Sequence, residues 1–350
     1  MGLNVTAYDD GSGPQADRGA TSATATVSSP AAPREHPGLV LAVDGGNSKT
    51  DVALATADGE VLAQAQAGPF TPQSTGVGSA IDVVAKAIGE IRTQLELPED
   101  APLARHLSAF VAGADLPQEE VALGEAFAAR GWTETFEVGN DTFALLRAGA
   151  SHPWGVAVVC GAGTNCAGIG PDGRRVRYPA IGILTGDWGG GHALGQRAMY
   201  AAVRGEDGRG DPTALTEAVA AHFGTETAIE AALAFHLGTF ADERIHELSP
   251  LLLRVATAGD PVALEYVDKQ AREVVGWART TLEKLDLLDR ETEVILGGGV
   301  LRAAVPVLMD RISVLAATRI PAARLVVPSR RPVHGAVLLG LDRLGVTPAN

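Results

Sequence analysis

The sequence has few of the features that mark secreted or nucleic-acid-binding proteins. Only two of its 350 residues are cysteine, which argues against a disulfide scaffold or a cysteine-based zinc site and favours a reducing cytoplasm. Aromatic residues make up 5%, and 28 basic residues stand against 42 acidic ones, giving a formal net charge of −14. We therefore expect no basic face for a nucleic acid or another polyanion.

Long hydrophobic runs are also missing. The longest, such as residues 155–160 and 333–341, are too short to cross a bilayer. No apolar segment preceded by basic residues, as in a secretory signal peptide, occurs near the start. We expect a cytoplasmic protein with no membrane partner. What the chain does have is 46% hydrophobic residues, enough for a substantial core, and a length that suggests two domains.

The chain divides into three parts. Residues 1–36 are rich in small and polar residues with little apolar periodicity, which predicts a disordered leader. Residues 37–150 alternate strand and helix patterns and predict one mixed α/β domain. Residues 151–350 predict a second α/β domain with helical insertions, including single helices over 241–258 and 301–317. A last helix, at about 333–345, could pack back on the first domain.

A strand, a glycine turn and a hairpin occur twice. The first strand covers residues 39–43 and the second 155–160, and each runs into a glycine loop followed by a hairpin pattern. Two such units facing each other would place both glycine loops at one interdomain cleft. A nucleotide would lie in that cleft.

Both glycine loops have residues suited to phosphate binding. The candidates are Gly45, Gly46, Asn47, Ser48, Lys49 and Thr50 in the first loop, and Gly161, Gly163 and Thr164 in the second. Glycines let backbone N–H groups approach an anion, although most glycine turns only reverse the chain. The first loop precedes a hairpin, which excludes the P-loop and the dinucleotide fingerprint. Asp44, at the strand end, is suited to hold Mg²⁺ through water, or else to cap the turn.

Asn140-Asp141-Thr142 follows a strand pattern and stands between the two loops in sequence. A carboxylate near two phosphate-binding loops is what a kinase needs to deprotonate an alcohol. Asp141 is therefore the candidate general base. The alternative is that Asp141 caps the helix that follows, and the two roles are compatible.

The order of these motifs resembles the N-acetylglucosamine kinases, in the BadF/BadG-type branch of the actin, hsp70 and sugar-kinase superfamily. The motifs are Asp-Gly-Gly-Asn-Ser-Lys-Thr at 44–50, Asn-Asp at 140–141, Gly-Ala-Gly-Thr-Asn at 161–165, Gly-Asp-Trp-Gly-Gly-Gly at 186–191 and Gly-Gly-Gly-Val at 297–300. The resemblance covers roughly residues 38 to 345. It implies two ribonuclease-H-like domains with ATP in the cleft between them.

The resemblance also implies roles for individual residues. Asp141 matches the catalytic aspartate, and the turn beside adenosine would be Gly297, Gly298 and Gly299. Candidates for sugar contact are Asn140, Asn165, Asp187, Asp115, Gln73 and Trp188. Two of these positions depart from the family pattern, because Trp188 replaces a glutamate and the loop around Gln73 has no asparagine. Asp115 could equally be a turn residue only, and Trp188 could be ordinary packing.

The resemblance predicts ATP- and Mg²⁺-dependent phosphorylation of an amino sugar. N-acetylglucosamine, at its 6-hydroxyl, is the first candidate, followed by glucosamine or another hexose. The small-molecule sugar is the expected partner, and we expect a homodimer. Two other classes stay open: an ATPase activator of an acyl-CoA reductase or dehydratase, which would hold an iron–sulfur cluster on cysteines, and a non-catalytic sugar sensor.

Overall fold

Two five-stranded sheets form the framework of the protein. The structure, a computed structural model, describes residue 36 and residues 38–346. The predicted leader, apart from His36, lies outside the described residues. Among the described residues, no helix combines the length and apolarity that a membrane span requires.

The first sheet has the strand order β3-β2-β1-β4-β5. Strands β1, β2 and β3 are antiparallel neighbours, whereas β4 and β5 run parallel to β1. The elements of this part are β1 (Gly38–Gly45), β2 (Thr50–Ala55), β3 (Val61–Ala67), α1 (Pro72–Thr75), α2 (Val77–Gln94), β4 (Ala104–Val111), α3 (Pro117–Ala128), β5 (Thr133–Asn140) and α4 (Asp141–Gly149).

The second sheet repeats this topology with the order β10-β9-β6-β7-β8. Strands β6, β7 and β8 are antiparallel neighbours, and β9 runs parallel to β6. The strands are β6 (Gly155–Cys160), β7 (Thr164–Ile169), β8 (Arg175–Arg177), β9 (Thr292–Gly297) and β10 (Ala323–Val326). The predicted repetition of strand, glycine turn and hairpin is therefore confirmed.

Helices fill the rest of the second half. They are α5 (Gly190–Asp207), α6 (Leu215–Phe223), α7 (Ala228–His236), α8 (Leu248–Thr257), α9 (Pro261–Lys284), α10 (Gly298–Arg302), α11 (Pro306–Arg319) and α12 (Pro332–Arg343), with 3-10 turns at Ile183–Thr185 and Asp242–Glu247. The insertion between β8 and β9 contains five of these helices.

Two helix predictions were wrong in their extent. The helix predicted over 301–317 is broken into α10 and α11, because Ala304 takes a positive φ of 48° and Pro306 starts the second helix. Proline is tolerated at the first helical position, where its missing N–H has no partner to lose. The helix predicted over 241–258 begins instead as a 3-10 turn before α8.

The central strand β1 is buried on both faces. Leu41 and Val43 pack in the cluster with α2, whereas Val40 and Ala42 pack in the cluster with α12. All four side chains have no exposed surface. This two-sided burial explains why β1 is a continuous apolar run instead of an alternating one.

Helix α12, at the end of the described chain, packs against α4 and the first sheet. The Ser108 hydroxyl in β4 donates to the Ala336 carbonyl at 2.6 Å, and Arg147 in α4 pairs with Asp342 at 2.8 Å. A Cβ on Gly335 would lie 1.9 Å from the Ala144 carbonyl oxygen. The two helix backbones are therefore nearly in contact, and this packing holds α4 in place.

We expect Gly335→Ala to destabilise the fold by about 2 kcal/mol or more, because the new methyl group would separate α12 from α4. Gly276→Ala is the matched control, since that glycine lies in α9 with no atom within 4 Å of the added Cβ. The control should stabilise slightly, by about 0.5 to 1 kcal/mol. Chemical denaturation measures both, and equal effects would contradict the close packing of α12 on α4.

Candidate active site

Three glycine-rich segments of the second half meet at the end of β6. The Gly191 amide donates to the Gly161 carbonyl at 2.7 Å. A Cβ on Gly190 would lie 2.4 Å from the Gly163 carbonyl oxygen, and one on Gly298 would lie 2.3 Å from the Cys160 carbonyl. Gly190 and Gly298 also have φ values of 77° and 81°, which disfavour other residues. The segments thus pack backbone against backbone with no space for side chains between them, and Gly190 and Gly191 are buried there.

A buried glutamine stabilises this backbone packing. Gln270, in the middle of α9, has no exposed surface. Its side-chain oxygen accepts from the Gly190 amide at 3.0 Å, and its amide nitrogen approaches the Cys160 sulfur at 3.4 Å. Nothing local in the sequence marks Gln270, because its role depends on contacts between segments far apart in the chain.

The second glycine loop leaves space for a ligand. No atom lies within 4 Å of a Cβ built on Gly161 or Gly163, and Gly163 is exposed. Thr164 is buried and lies 3.6 Å from the Cys160 sulfur, so this loop offers backbone groups to a phosphate more readily than its threonine side chain. Backbone N–H groups at a glycine turn are a common anion site.

The first glycine loop is a tight turn after β1. The Gly46 amide donates to the Lys49 carbonyl at 2.9 Å, and Asn47 and Ser48 at its tip are exposed. Gly45, in contrast, is packed, since a Cβ there would lie 2.8 Å from Val111. The exposed tip is the part of this loop that could meet a phosphate.

Two residues of the first loop depart from the expectation of phosphate contact. Thr50 has no exposed surface, and its hydroxyl donates to the Gly68 carbonyl at 2.8 Å. The Lys49 ammonium group pairs with Asp51 at 2.6 Å. The Thr50 side chain is therefore occupied within the first sheet, and Lys49 would have to leave Asp51 to reach an anion.

The candidate base Asp141 lies at the first position of α4. Asn140 caps the helix, because its side-chain oxygen accepts from the Thr142 amide at 3.1 Å. The alternative that Asp141 caps α4 is therefore wrong. The Thr142 backbone amide, by hydrogen bonding, lowers the pKa of Asp141 in part, whereas no side chain among the described residues forms a hydrogen bond with its carboxylate. This leaves the carboxylate available to a ligand.

Asn140 also links the two halves of the molecule. Its amide nitrogen donates to Asp115 at 2.7 Å, and its oxygen accepts from the Asn165 side chain at 3.3 Å. Asn165 belongs to β7 in the second sheet, whereas Asp115 follows β4 in the first. Three of the predicted sugar-contacting residues thus form one hydrogen-bonded chain beside Asp141.

Gln73 lies at the same end of the first sheet. A Cβ on Gly113 would be 2.4 Å from the Gln73 side-chain nitrogen, so Gln73 packs on the turn that leads to Asp115. The same nitrogen is 3.5 Å from Glu119 in α3. Glu119 in turn accepts from the Asp115 backbone amide at 3.0 Å. The exposed Gln73 therefore borders the turn that places Asp115.

Three carboxylates gather at this edge because parallel strands end in register. Gly45 pairs with Val111, and Val111 pairs with Asn140, which brings Asp44, Asp115 and Asp141 to one side of the sheet. Burial is the main cause that raises the pKa of Asp44 to about 8, that of Asp115 to about 7 and that of Asp141 to about 6. The Asp141 charge further raises the pKa of the other two.

This edge suits a hydrated divalent cation. Burial, Asp141 and Asp51 all disfavour the ionised form of Asp44, and a cation would relieve that cost. The described residues contain no group of three or more metal-ligating side chains. Mg²⁺ needs no such cage, since it keeps several waters and is held by one or two carboxylates and the phosphates of a substrate.

Asp187 and Trp188 are both buried. The Asp187 carboxylate accepts from the Gly182 amide at 3.0 Å and from the Thr185 hydroxyl. These hydrogen bonds stabilise the loop that precedes Asp187. Trp188 is 7% exposed in the core of the second half, and the Lys269 ammonium lies 4.2 Å from its ring centroid. These contacts favour ordinary packing for Trp188 over stacking on a sugar.

The turn expected beside adenosine continues from β9 into α10. A Cβ on Gly297 would lie 2.3 Å from the Leu145 side chain of α4, so Gly297 packs against the helix that begins at Asp141. Gly298 contacts the second glycine loop, and Gly299 is exposed with open space around it. The exposed Gly299 therefore lies next to the second glycine loop.

Comparison with known proteins identifies the family. The sequence profile of the BadF/BadG/BcrA/BcrD ATPase family matches residues 41–340. The chain belongs to this family, and the resemblance expected from the motifs is confirmed.

Two relatives of the chain are amino-sugar kinases. The chain is 24% identical over 269 residues to the N-acetylmuramic acid/N-acetylglucosamine kinase of Clostridium acetobutylicum, covering 75% of this chain and 85% of that protein. It is 23% identical over 324 residues to the N-acetyl-D-glucosamine kinase of Dictyostelium discoideum, covering 87% and 98%.

A solved structure has the same fold. The crystal structure of a candidate N-acetylglucosamine kinase from Chromobacterium violaceum is 27% identical, covers 86% of this chain and 98% of its own, and superposes with a TM-score of 0.69. The expected fold class, mixed α/β with the actin-like architecture, is therefore confirmed.

We expect Gly190→Ala to lower the melting temperature and to weaken nucleotide binding by about tenfold or more, because the methyl group would collide with the second glycine loop. Gly173→Ala is the matched control: its φ of 83° is similar, but no atom lies near the added Cβ. Thermal melting and calorimetry with an ATP analogue measure both effects. Equal losses in the two variants would show that backbone strain alone is responsible.

Proposed function

We propose that this protein is an ATP-dependent amino-sugar kinase that phosphorylates N-acetylglucosamine at its 6-hydroxyl, with Asp141 as the general base. The family match, and the kinases among its relatives, support the reaction class. The observation that carries the proposal is the placement of Asp141. Its carboxylate starts α4 without capping it and lies beside the chain formed by Asp115, Asn140 and Asn165.

The roles of these residues follow from their chemistry. Asp115 offers carboxylate oxygens and Asn165 an amide to sugar hydroxyl groups, while Asn140 fixes both of them. Asp141 would accept the proton of the reacting hydroxyl as that oxygen attacks phosphorus. A base with a pKa near 6 is ionised at neutral pH but still basic enough to take part in proton transfer.

The glycine surfaces suit the phosphates of ATP. Gly161 and Gly163 have open backbone, the tip of the first loop is exposed, and Asp44 would hold Mg²⁺ through water. When bound, ATP supplies the phosphoryl group, and Mg²⁺ neutralises charge on its oxygens. Gly190 and Gly298 let the segments around the second glycine loop pack closely, which fixes the loop where the phosphates would bind.

The iron–sulfur activator is disfavoured by the two cysteines. Cys160 and Cys166 have no exposed surface, and burial raises the pKa of each thiol to about 12. Cluster ligands are thiolates, and a cluster shared between subunits requires them at a surface. Both sulfurs instead contact residues of α9.

The experiment that tests the function is ADP release in the presence of ATP, Mg²⁺ and single sugars. The panel contains N-acetylglucosamine, glucosamine, glucose and N-acetylmuramic acid. We expect N-acetylglucosamine to have the highest kcat/KM. The lactyl carboxylate of N-acetylmuramic acid should be disfavoured, because Asp141 and Glu119 already disfavour negative charge at Asp115. No ADP release with any amino sugar would contradict the proposal.

Asp141→Asn should lower kcat by at least about 100-fold, because the amide cannot accept the proton. Nucleotide affinity and melting temperature should stay close to the wild-type values, since Asn140 provides the helix cap. Coupled-enzyme kinetics, calorimetry and thermal melting test the three expectations. Turnover near the wild-type rate would exclude Asp141 as the base.

The pH dependence should report the same carboxylate. Burial raises the pKa of Asp141 to about 6, and the base acts only when ionised. We therefore expect kcat/KM to fall as the pH decreases through about 6, by about tenfold per pH unit below it. The profile of Asp115→Asn shows whether Asp115, whose pKa is also raised, contributes to this limb. A flat wild-type profile down to pH 5 would contradict the assignment.

A further inference from the structure

The short edge strand β8 faces an acidic surface across the cleft. Arg177 forms an ion pair with Glu120 in α3. Arg175 lies 4.0 Å from Glu137 in β5, and its guanidinium carbon is 5.2 Å from the Phe143 ring centroid. Both arginines belong to the second sheet and all three partners to the first part of the chain. The β7–β8 hairpin therefore contacts the first half of the chain, both sheet and helices, with two cations.

These contacts lie beside the candidate sugar site. The same hairpin carries Asn165, whose side chain reaches Asn140 at 3.3 Å. Glu120 directly follows Glu119, which accepts from the backbone amides of Asp115 and Leu116 and so shapes the start of α3. An ion pair that holds Glu120 therefore also holds the turn that carries Asp115.

We propose that Arg177 is a positioning residue for sugar binding. Its ion pair with Glu120 ties β8 to α3 across the cleft and fixes the turn that places Asp115. This inference rests on the proposed function and extends it, because it assigns the sugar subsite a contribution from the second sheet that no motif in the sequence marks.

The charges support this role. Asp141 and Glu119 both raise the pKa of Asp115, whereas Arg177 and the hydrogen bond from Asn140 lower it. Arg177 is the cation that opposes the two carboxylates around Asp115, and together with Arg175 it offsets part of the rise that burial causes in the pKa of Glu120. Loss of Arg177 would therefore favour the protonated form of Asp115, which is a poorer acceptor for sugar hydroxyl groups.

The partial exposure of the pair sets the size of the effect. The Arg177 and Glu120 side chains are 30% and 25% exposed, so water screens part of their attraction. We expect Arg177→Gln to raise the KM for sugar about fivefold, the factor that corresponds to about 1 kcal/mol. The kcat and the KM for ATP should change by less than about twofold, because the phosphate loops and Asp141 do not contact the pair.

Three further variants separate positioning from a general loss of stability. Arg177→Lys should keep much of the sugar affinity, and exchange of the two charges, Arg177→Glu with Glu120→Arg, should restore it. Arg174→Gln is the matched control, because Arg174 lies next to β8 but pairs with Asp172 and Asp286 in its own half. An unchanged sugar KM in Arg177→Gln, or an equal increase in Arg174→Gln, would overturn the proposal.

The pH profile gives a readout that a purely structural role would not affect. In Arg177→Gln, the loss of kcat/KM for sugar should be larger at pH 6.5 than at pH 8.5. Without the cation the pKa of Asp115 would rise, so less of Asp115 would be ionised at the lower pH. The wild-type ratio at these two pH values is the reference. A loss of equal size at both would contradict an effect through Asp115.

A measurement without substrate distinguishes failure of this inference from failure of the proposed function. Melting temperatures of Arg177→Gln, Glu120→Gln and the double variant form a cycle that reports the ion pair alone. If the wild type phosphorylates no amino sugar but the cycle shows coupling, the proposed function is wrong, whereas the ion pair between β8 and α3 is supported. If the two effects are additive, that tie is absent and the inference is overturned.

Discussion

The architecture depends on the close approach of three backbone segments at the end of β6. A Cβ on Gly190 would meet the Gly163 carbonyl of the second glycine loop, and one on Gly298 the Cys160 carbonyl at the end of β6, so neither position has space for a side chain. Gln270 then satisfies the Gly190 amide from inside the protein, whereas Gly161 and Gly163 keep open space for a ligand. A side chain at Gly190 or Gly298 would therefore push the segments apart and displace the loop that carries this open space.

The first sheet contributes charge to the cleft where the second contributes bare backbone. Its three parallel strands end in register and bring Asp44, Asp115 and Asp141 together, although burial and mutual repulsion disfavour their ionised forms. The compensating interactions come from elsewhere: Asn140 donates to Asp115, and Arg177 approaches from the second half. Binding of a cation and of polar substrate groups would offset the free-energy cost of ionising these carboxylates.

Sequence patterns could predict the fold and the main motifs because those signals are local. Strand, glycine turn and hairpin appear twice as contiguous patterns, and Asn140-Asp141-Thr142 marks a strand-to-helix junction. The patterns could not predict which residue caps α4, since asparagine and aspartate are equally good caps. They also missed Gln270 and Arg177, whose roles arise only when α9 meets a glycine loop and β8 meets α3. Likewise, Thr50 matched a motif, yet its hydroxyl bonds to Gly68 in the neighbouring turn.

The shared strand order of the two sheets has a consequence for how such a chain can change. Between the third and fourth strands of each repeat, the first half has only α1 and α2, whereas the second half has five helices, α5 to α9. The longer connection in the second half leaves the strand order unchanged, so the fold tolerates insertions at this position. Evolution could therefore enlarge or reshape the molecule at the corresponding connection of the first half, residues 68–103, and leave the paired strands that form the cleft as they are.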